Sequence, residues 1–292
     1  FSQTVYGDHA LGQSILGTKD SLMAIKQSDM LAFQSFYKNP KNVLISIAGK
    51  GVQNELIDQI EHFSKALNTS GGDFEKIVTT PTYRSSTKLI AKETEQVHVC
   101  LGAPTIEYTH DDHYPLHLLS TLLGGSMSSR LFQEIREKRG WAYAVYSYSS
   151  FFMRTGLFTS YMGLSYEHLE PALDVVDDLL TETKESLCST KELERIKEQL
   201  KGNLLLSLEK SMSWMSWHAK QQLYKGAILS VEEVTSQIDA VTQDQLRSCA
   251  QRYLSDDKLC LSMIGPFDEA ALSLTNQTYQ KFKDNKSALL RK

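Results

Sequence analysis

The sequence has 292 residues, 41% of them hydrophobic, which is enough to bury the core of one large domain or two modest ones. Its net charge of −4, without basic stretches interleaved with aromatic residues, argues against nucleic-acid binding. No run of about eighteen apolar residues occurs, so no membrane-spanning helix is predicted.

The four cysteines are far apart in the sequence, at Cys100, Cys188, Cys249 and Cys260. Scattered cysteines of this kind fit a reducing compartment, in which they serve as small apolar core residues. The first residues do not have the pattern of a signal peptide. We therefore expect a cytoplasmic location and no membrane partner.

Residues 1–68 have the pattern of the last part of a domain. Glycines punctuate a loop over residues 6–12, and Asn39-Pro40 is a helix-ending signal. The predicted elements are a helix from Ser21, a helix from Ser28 or Asp29 to Tyr37, a strand over Val43–Ala48 and a helix over Asn54–Leu67. The strand follows from alternating apolar and small residues.

Residues 69–86 are polar and lack a periodic apolar pattern, which predicts a linker. A second domain is predicted over residues 87–292. Its predicted elements are strands Lys88–Lys92 and Gln96–Ala103, a helix Asp112–Leu123, a hairpin, long helices from Ser165 and Ser189, short helices opened by Ser230 and Thr242, a strand Lys258–Ile264, and a terminal helix from Glu269. Strands and helices in clusters indicate an α+β fold, with helices on one face of a largely antiparallel sheet.

The stretch Leu122–Gly163 is the most informative part of the sequence. It contains Leu123-Gly124-Gly125-Ser126-Met127-Ser128-Ser129-Arg130-Leu131-Phe132-Gln133-Glu134-Ile135-Arg136. The glycine pair precedes a predicted short helix that Ser128 or Ser129 can cap and that Gly140 ends. Strands Trp141–Tyr148 and Gly156–Gly163 follow and form the hairpin.

This stretch resembles the second-domain signature of the pitrilysin and mitochondrial processing peptidase family of zinc metallopeptidases. Family members carry GG-x-x-SSRLF-x-x-[IL]R-x-x-x-G-x-[AG]Y before a hairpin, and the loop Tyr6–Thr18 is similar to one near the end of their first domain. The resemblance implies two similar α+β domains of mostly antiparallel sheet covered by helices. Residues 1–68 would be the C-terminal part of the first domain.

The resemblance also implies two substrate-binding residues. In the family, an arginine at the end of the signature helix and a tyrosine seven residues later bind peptide, and the matching positions are Arg136 and Tyr143. An arginine and a phenol can donate hydrogen bonds to a peptide carbonyl or an oxyanion. Judged from the residues alone, the usual roles are structural: an arginine such as Arg136 caps carbonyls or pairs with Glu134 or Glu137, and a strand tyrosine such as Tyr143 is half buried.

The cofactor that the resemblance implies is zinc, held in the family by a His-x-x-Glu-His motif on a helix of the first domain. This sequence lacks the motif, and its nearest string, residues 58–62, begins with Asp58 instead of histidine. A second cluster, residues 110–113 with His117, is better explained as a solvated start of a helix. We therefore expect no catalytic or metal-binding residue in this chain and expect the zinc ligands upstream of Phe1.

The sequence is interpreted as the substrate-binding C-terminal part of a zinc-dependent endopeptidase that acts on short unfolded peptides. The resemblance implies a clamshell formed by two subunits, most simply a homodimer. An alternative from another class is a non-catalytic scaffold or partner subunit of the same family. A third is a peptide-binding module without catalytic chemistry.

Overall fold

The computed structural model describes residues 1–50, 54–65, 67 and 78–267. These residues group into two compact units. We call residues 1–13, 81–201 and 235–267 the sheet unit, and the described residues of 14–80 and 202–234 the helical unit. Most of the predicted linker (residues 69–77) and the predicted helix from Glu269 lie outside the described residues. The division into 1–68, 69–86 and 87–292 therefore remains a prediction.

The strands of the described residues form one sheet in the order β1-β5-β2-β4-β3. Their bounds are β1 Thr87–Ala91, β2 Val97–Thr105, β3 Ala142–Phe151, β4 Gly156–Leu164 and β5 Cys260–Gly265. Only β1 and β5 of these strands pair in parallel; the other neighbours are antiparallel. The predicted hairpin is confirmed as β3 and β4, and β3 is an edge strand of this sheet.

One face of the sheet is covered by helices. A row of side chains across four strands, Val145, Met162, Val99 and Met263, is no more than 5% exposed. Helix α5 (His113–Gly124) packs on β3, and α10 (Gln243–Tyr253) packs on β2, on α5 and on α6 (Leu169–Glu185). This arrangement confirms the predicted α+β class.

The N-terminal helix α1 (Ser2–Tyr6) belongs to the sheet unit. Val5 and Tyr6 share a buried cluster with Leu157 and Cys260. The Tyr6 hydroxyl donates to the carbonyl oxygen of Gly156 at 2.8 Å. Burial raises the pKa of this phenol to about 12, so it remains a donor at neutral pH.

The helical unit contains α2 (Lys19–Ala24), α3 (Gln27–Tyr37), α4 (Asn54–Lys65) and α8 (Ser211–Lys225). The strand predicted over Val43–Ala48 is wrong, because no strand of the described residues pairs with it. Leu44, Ile45 and Ile47 are 42–45% exposed there. Strand-forming residues alone do not make a strand, since its backbone groups need a partner strand.

Three helix starts follow the capping pattern predicted from the sequence. In each, a hydroxyl accepts from the amide three residues on, and the side chain of that later residue accepts from the first amide. The pairs are Ser189 with Glu192 before α7 (Thr190–Ser207), Ser230 with Glu233 before α9 (Val231–Asp239), and Thr242 with Gln245 before α10. No helix within the described ranges is long and apolar enough to cross a membrane.

Candidate functional site

The helix predicted after the glycine pair contains a π-helical turn, Phe132–Glu137. We call the whole segment of residues 126–140 the signature turn. The amide of Lys138 donates to the carbonyl of Gln133, five residues back, at 2.9 Å. The predicted serine cap is wrong, because neither Ser128 nor Ser129 accepts from an amide of the turn within the described residues; the Ser129 hydroxyl instead donates to the Ser126 carbonyl at 2.5 Å. Gly140 has φ +65° and follows the turn as predicted. Single π-helical turns are frequent at functional sites.

Arg136 lies in this turn, and its guanidinium carbon is close to two aromatic rings. The distances to the ring centroids are 4.9 Å for Phe132 and 4.8 Å for Tyr143. Both are within the range of attractive cation–π contacts. The structure therefore brings together the two residues that the signature singled out, and it adds Phe132, which is buried, as the second ring.

Tyr143 lies at a β-bulge. Ala142 pairs with Leu164 and Ala144 with Gly163, so that Tyr143 is the additional residue on β3. A bulge interrupts regular pairing and redirects the side chain of the extra residue. The Tyr143 side chain is 78% exposed. Both candidate residues thus lie on irregular backbone: Arg136 in the π-helical turn and Tyr143 at the β-bulge.

The acidic neighbour Glu134 is occupied by other partners. Its carboxylate accepts from Lys138 and Arg139, and these hydrogen bonds hold the pKa of Glu134 below its usual value. Arg136 forms no ion pair within the described ranges of the chain. The pairing of Arg136 with Glu134 or Glu137 that the residues alone allowed is thus absent from this part of the structure.

Arg130 anchors the signature turn to two helices. Its Nε donates to Glu192 Oε1 of α7 at 3.1 Å, and its Nη1 donates to the Thr183 hydroxyl of α6, also at 3.1 Å. Burial raises the pKa of Glu192, but hydrogen bonds from Arg130 and from the Ser189 amide outweigh that effect, and the net pKa is lowered. The sequence analysis did not single out Arg130. The available signal was an arginine next to the apolar Leu131 and Phe132, together with Glu192 in the first turn of another helix.

The glycine pair has a packing role. A Cβ added to Gly124 would collide with the backbone nitrogen and the hydroxyl of Ser147 on β3. Gly124 is the last residue of α5, which approaches β3 closely here, and the Ser147 hydroxyl donates to the Ser120 carbonyl at 2.7 Å. The Gly125 carbonyl accepts from Gln199 of α7 at 2.8 Å. The pair therefore fixes where the signature turn leaves α5.

The described residues do not fit a zinc site. No group of three His, Cys, Asp or Glu side chains among them could hold a metal ion. The rings of His113 and His117 lie 5.0 Å apart and pack on Phe151, and burial lowers the pKa of His117 to about 4. Asp112 Oδ2 instead accepts from Arg252 and from the Tyr253 hydroxyl, each at 2.6 Å.

Comparisons with known proteins identify the class to which this fold and signature belong. Residues 24–200 match the family model described as the peptidase M16 inactive domain. The chain is 35% identical over 267 residues to "Uncharacterized zinc protease YmxG" of Bacillus subtilis and 34% identical over 283 residues to "Uncharacterized zinc protease SCO5738" of Streptomyces coelicolor. These alignments cover 91% and 94% of this chain, and 64% and 61% of the relatives.

A solved structure, the peptidase M16 inactive domain from Pseudomonas fluorescens, has a TM-score of 0.82 at 23% identity. The alignment covers 91% of this chain and 64% of the Pseudomonas fluorescens chain, and the two share the same fold. The chain belongs to the peptidase M16 family, which confirms the resemblance stated from the sequence. It spans less than two thirds of the length of the relatives named here.

Proposed function

We propose that this chain supplies the substrate-binding part of a zinc-dependent endopeptidase that acts on short unfolded peptides. The observation that carries the proposal is that the guanidinium of Arg136 contacts the rings of Phe132 and Tyr143, and that Arg136 and Tyr143 lie on two irregular backbone segments. The names of the relatives in the peptidase M16 family support the reaction class.

In this proposal Arg136 and Tyr143 bind and orient the peptide. The guanidinium presents several N–H donors in one plane, and the exposed phenol of Tyr143 adds an O–H donor. Peptide carbonyl oxygens accept such bonds, and preorganised donors bind more strongly as negative charge develops on the oxygen. In this proposal an extended peptide also pairs beside β3, an edge strand of the described sheet.

Zinc is the proposed cofactor, with its ligands upstream of Phe1. The relatives are named zinc proteases, whereas this sequence has no His-x-x-Glu-His motif and its described residues contain no metal-binding group. We further propose a homodimeric clamshell, in which Arg136 and Tyr143 of one subunit face the zinc of the other.

The test uses the purified full-length gene product, its zinc content and its cleavage of unfolded fluorogenic peptides. Arg136→Lys and Tyr143→Phe should each lower kcat/KM, by roughly a hundredfold for Arg136→Lys, because an oriented charged donor is lost. Arg139→Lys, at a residue paired with Glu134, is the matched control and should stay within about threefold of the parent. Unchanged kinetics in Arg136→Lys would refute the assignment.

The second candidate function is a non-catalytic scaffold or partner subunit. The description of the matching family model as an inactive domain favours it. It predicts a gene product without a His-x-x-Glu-His motif, without bound zinc and without peptide cleavage. Stoichiometric zinc together with cleavage would exclude it.

A further inference from the structure

The sheet face opposite the helices carries three neighbouring tyrosines. Side chains alternate along a strand, so the residues next to the buried row that includes Val145 lie on the other face. Tyr146 of β3 pairs there with Tyr161 of β4, which in turn pairs with Cys100 of β2. Tyr148 lies two residues further along β3, and Tyr146 and Tyr148 are 45% and 47% exposed. We call Tyr146, Tyr148 and Tyr161 the tyrosine row.

The rings of the tyrosine row stack. The centroids of Tyr146 and Tyr161 are 4.9 Å apart, and their planes are inclined by 28°. The centroids of Tyr146 and Tyr148 are 6.2 Å apart, with an inclination of 30°. Both distances lie in the range in which aromatic rings attract each other. Burial raises the pKa of Tyr146 and of Tyr161, so the two phenols are uncharged at neutral pH.

Two neighbours fix the position of Tyr161. Its hydroxyl shares a hydrogen bond of 2.8 Å with Nδ1 of His98 on β2. A Cβ added to Gly163, which pairs with His98, would lie 3.1 Å from the same hydroxyl, so the glycine leaves room for the phenol. A ring that is already held in place loses little conformational freedom when a ligand packs on it, and such preorganisation favours binding.

We infer that the tyrosine row binds an aromatic side chain of the peptide substrate and thereby determines which peptides are selected. The inference rests on the proposed peptide-binding function and names the side chain that this site prefers. Tyr146 and Tyr148 belong to β3, the edge strand beside which the peptide is proposed to lie. A further ring that packs on them covers exposed aromatic surface, and aromatic pairs gain attraction beyond the area that they bury.

Charge disfavours the other side chains that could occupy the tyrosine row. A basic side chain could also contact tyrosine rings. However, Arg136 contacts Tyr143, three residues before Tyr146, and places a positive charge at this end of β3. An acidic side chain is repelled by the negative faces of aromatic rings. An aromatic side chain meets neither cost.

The experiment measures binding of four peptides to this chain by calorimetry. The peptides are acetylated and amidated, share one length and one uncharged host sequence, and carry phenylalanine, cyclohexylalanine, alanine or lysine at one central position. Cyclohexylalanine has the size of phenylalanine without its aromatic electrons. We expect the phenylalanine peptide to bind about tenfold more tightly than the alanine peptide and about threefold more tightly than the cyclohexylalanine peptide. The lysine peptide should bind no more tightly than the alanine peptide.

Cys100 reports where the peptide binds. It lies beside Tyr161 on the same face of the sheet, and the other three cysteines are buried. Iodoacetamide should alkylate the Cys100 thiol more slowly as the phenylalanine peptide saturates the chain, because the bound side chain covers the tyrosine row. At one fixed pH, the concentration for half protection should equal the dissociation constant from calorimetry.

Variants assign the preference to the tyrosine row. Tyr146→Leu should abolish the preference for phenylalanine over cyclohexylalanine, because it removes the ring on which the ligand stacks. Tyr114→Leu is the matched control and should keep the preference, since Tyr114 belongs to α5 on the helix-covered side of the sheet. Arg136→Lys tests the proposed site separately and should weaken the binding of all four peptides alike. Circular dichroism of each variant checks that the fold is intact.

Four results would overturn the inference. They are equal binding of the phenylalanine and cyclohexylalanine peptides, tightest binding of the lysine peptide, a phenylalanine preference that survives Tyr146→Leu, and an unchanged alkylation rate of Cys100 at saturation. Equal binding of all four peptides, weakened throughout by Arg136→Lys, would overturn the selective role of the tyrosine row and leave the proposed peptide site standing. Absence of binding by all four peptides would overturn both the inference and the proposed site.

Discussion

Replacement of Arg130 by methionine tests whether one arginine holds the signature turn in place. The Arg130 side chain is 12% exposed and makes hydrogen bonds to Glu192 and to Thr183. Methionine retains much of the volume and removes the charge and every donor. Glu192 keeps its hydrogen bonds from Ser189, so its carboxylate is not left without partners.

The magnitude follows from these contacts. A hydrogen bond to a charged group contributes about 1.5–3 kcal/mol, and breaking a buried ion pair costs about 3–5 kcal/mol. Because the Glu192 side chain is 25% exposed, we take the lower range and expect Arg130→Met to lower the free energy of unfolding by about 2–3 kcal/mol. The pKa of Glu192 is lowered, so this contribution is present above its ordinary value of 4.5 and is lost as the pH falls below it.

The assay is urea unfolding at neutral pH in a background that carries Trp214→Phe and Trp217→Phe. Of the three tryptophans, only Trp141 then remains, and it stacks on His168 in the sheet unit, with ring centroids 5.6 Å apart. A double-mutant cycle with Glu192→Gln isolates the pair, and Ser189→Ala is the control for the helix cap. A coupling energy below about 0.5 kcal/mol would refute the reasoning.

Four further predictions concern the sheet unit and α7, and urea midpoints measure all of them. Gly124→Ala should lower the free energy of unfolding by about 1–3 kcal/mol, because the added Cβ collides with the Ser147 backbone. Gly202→Ala should instead raise it by about 0.5–1 kcal/mol, because there an added Cβ meets no described atom within 4 Å. Burial lowers the pKa of His117 from 6.5 to about 4. The contribution of this residue to the free energy of unfolding should therefore be complete above pH 6.5 and decrease as the pH drops towards 4. His117→Leu should remove that part of the pH dependence. Thr159→Val should stabilise by about 1 kcal/mol, because the buried Thr159 hydroxyl has no hydrogen-bond partner in the described part of the chain; a loss of stability would contradict this.

The features that the sequence predicted correctly depend on short-range chemistry. A hydroxyl and a carboxylate three residues apart, as in Ser189 and Glu192, cap a helix with their own neighbours. Gly140 takes a positive φ that few other residues adopt. The hairpin β3–β4 needs only two adjacent strands and a turn.

The features that were missed depend on distant partners. Residues 43–48 have the composition of a strand, but strand formation needs a second strand that the described residues do not provide. The apolar spacing of Leu131 and Ile135 suits an α-helical and a π-helical turn equally well, so the pattern could not distinguish them. The bulge at Tyr143 is a matter of register with β4, which no single strand encodes.

For the candidate site, the sequence predicted which two residues to examine, and the structure places them in contact. Their role in peptide binding stays a prediction. The Phe132 ring and the Arg130 anchor could not be predicted, because each acts through contacts with side chains whose positions follow from the packing of the whole unit.

The order of the strands also has a consequence for how this protein is made. The last strand of the sheet to leave the ribosome, β5, lies between the first two, β1 and β2. Until residues 260–265 have emerged, β1 has no partner among the described strands and β2 keeps one open edge. Such edges attract other strands, and pairing across a long stretch of chain is slow. Between synthesis of β2 and arrival of β5, the nascent sheet therefore keeps strand edges that only β5 pairs within the described residues.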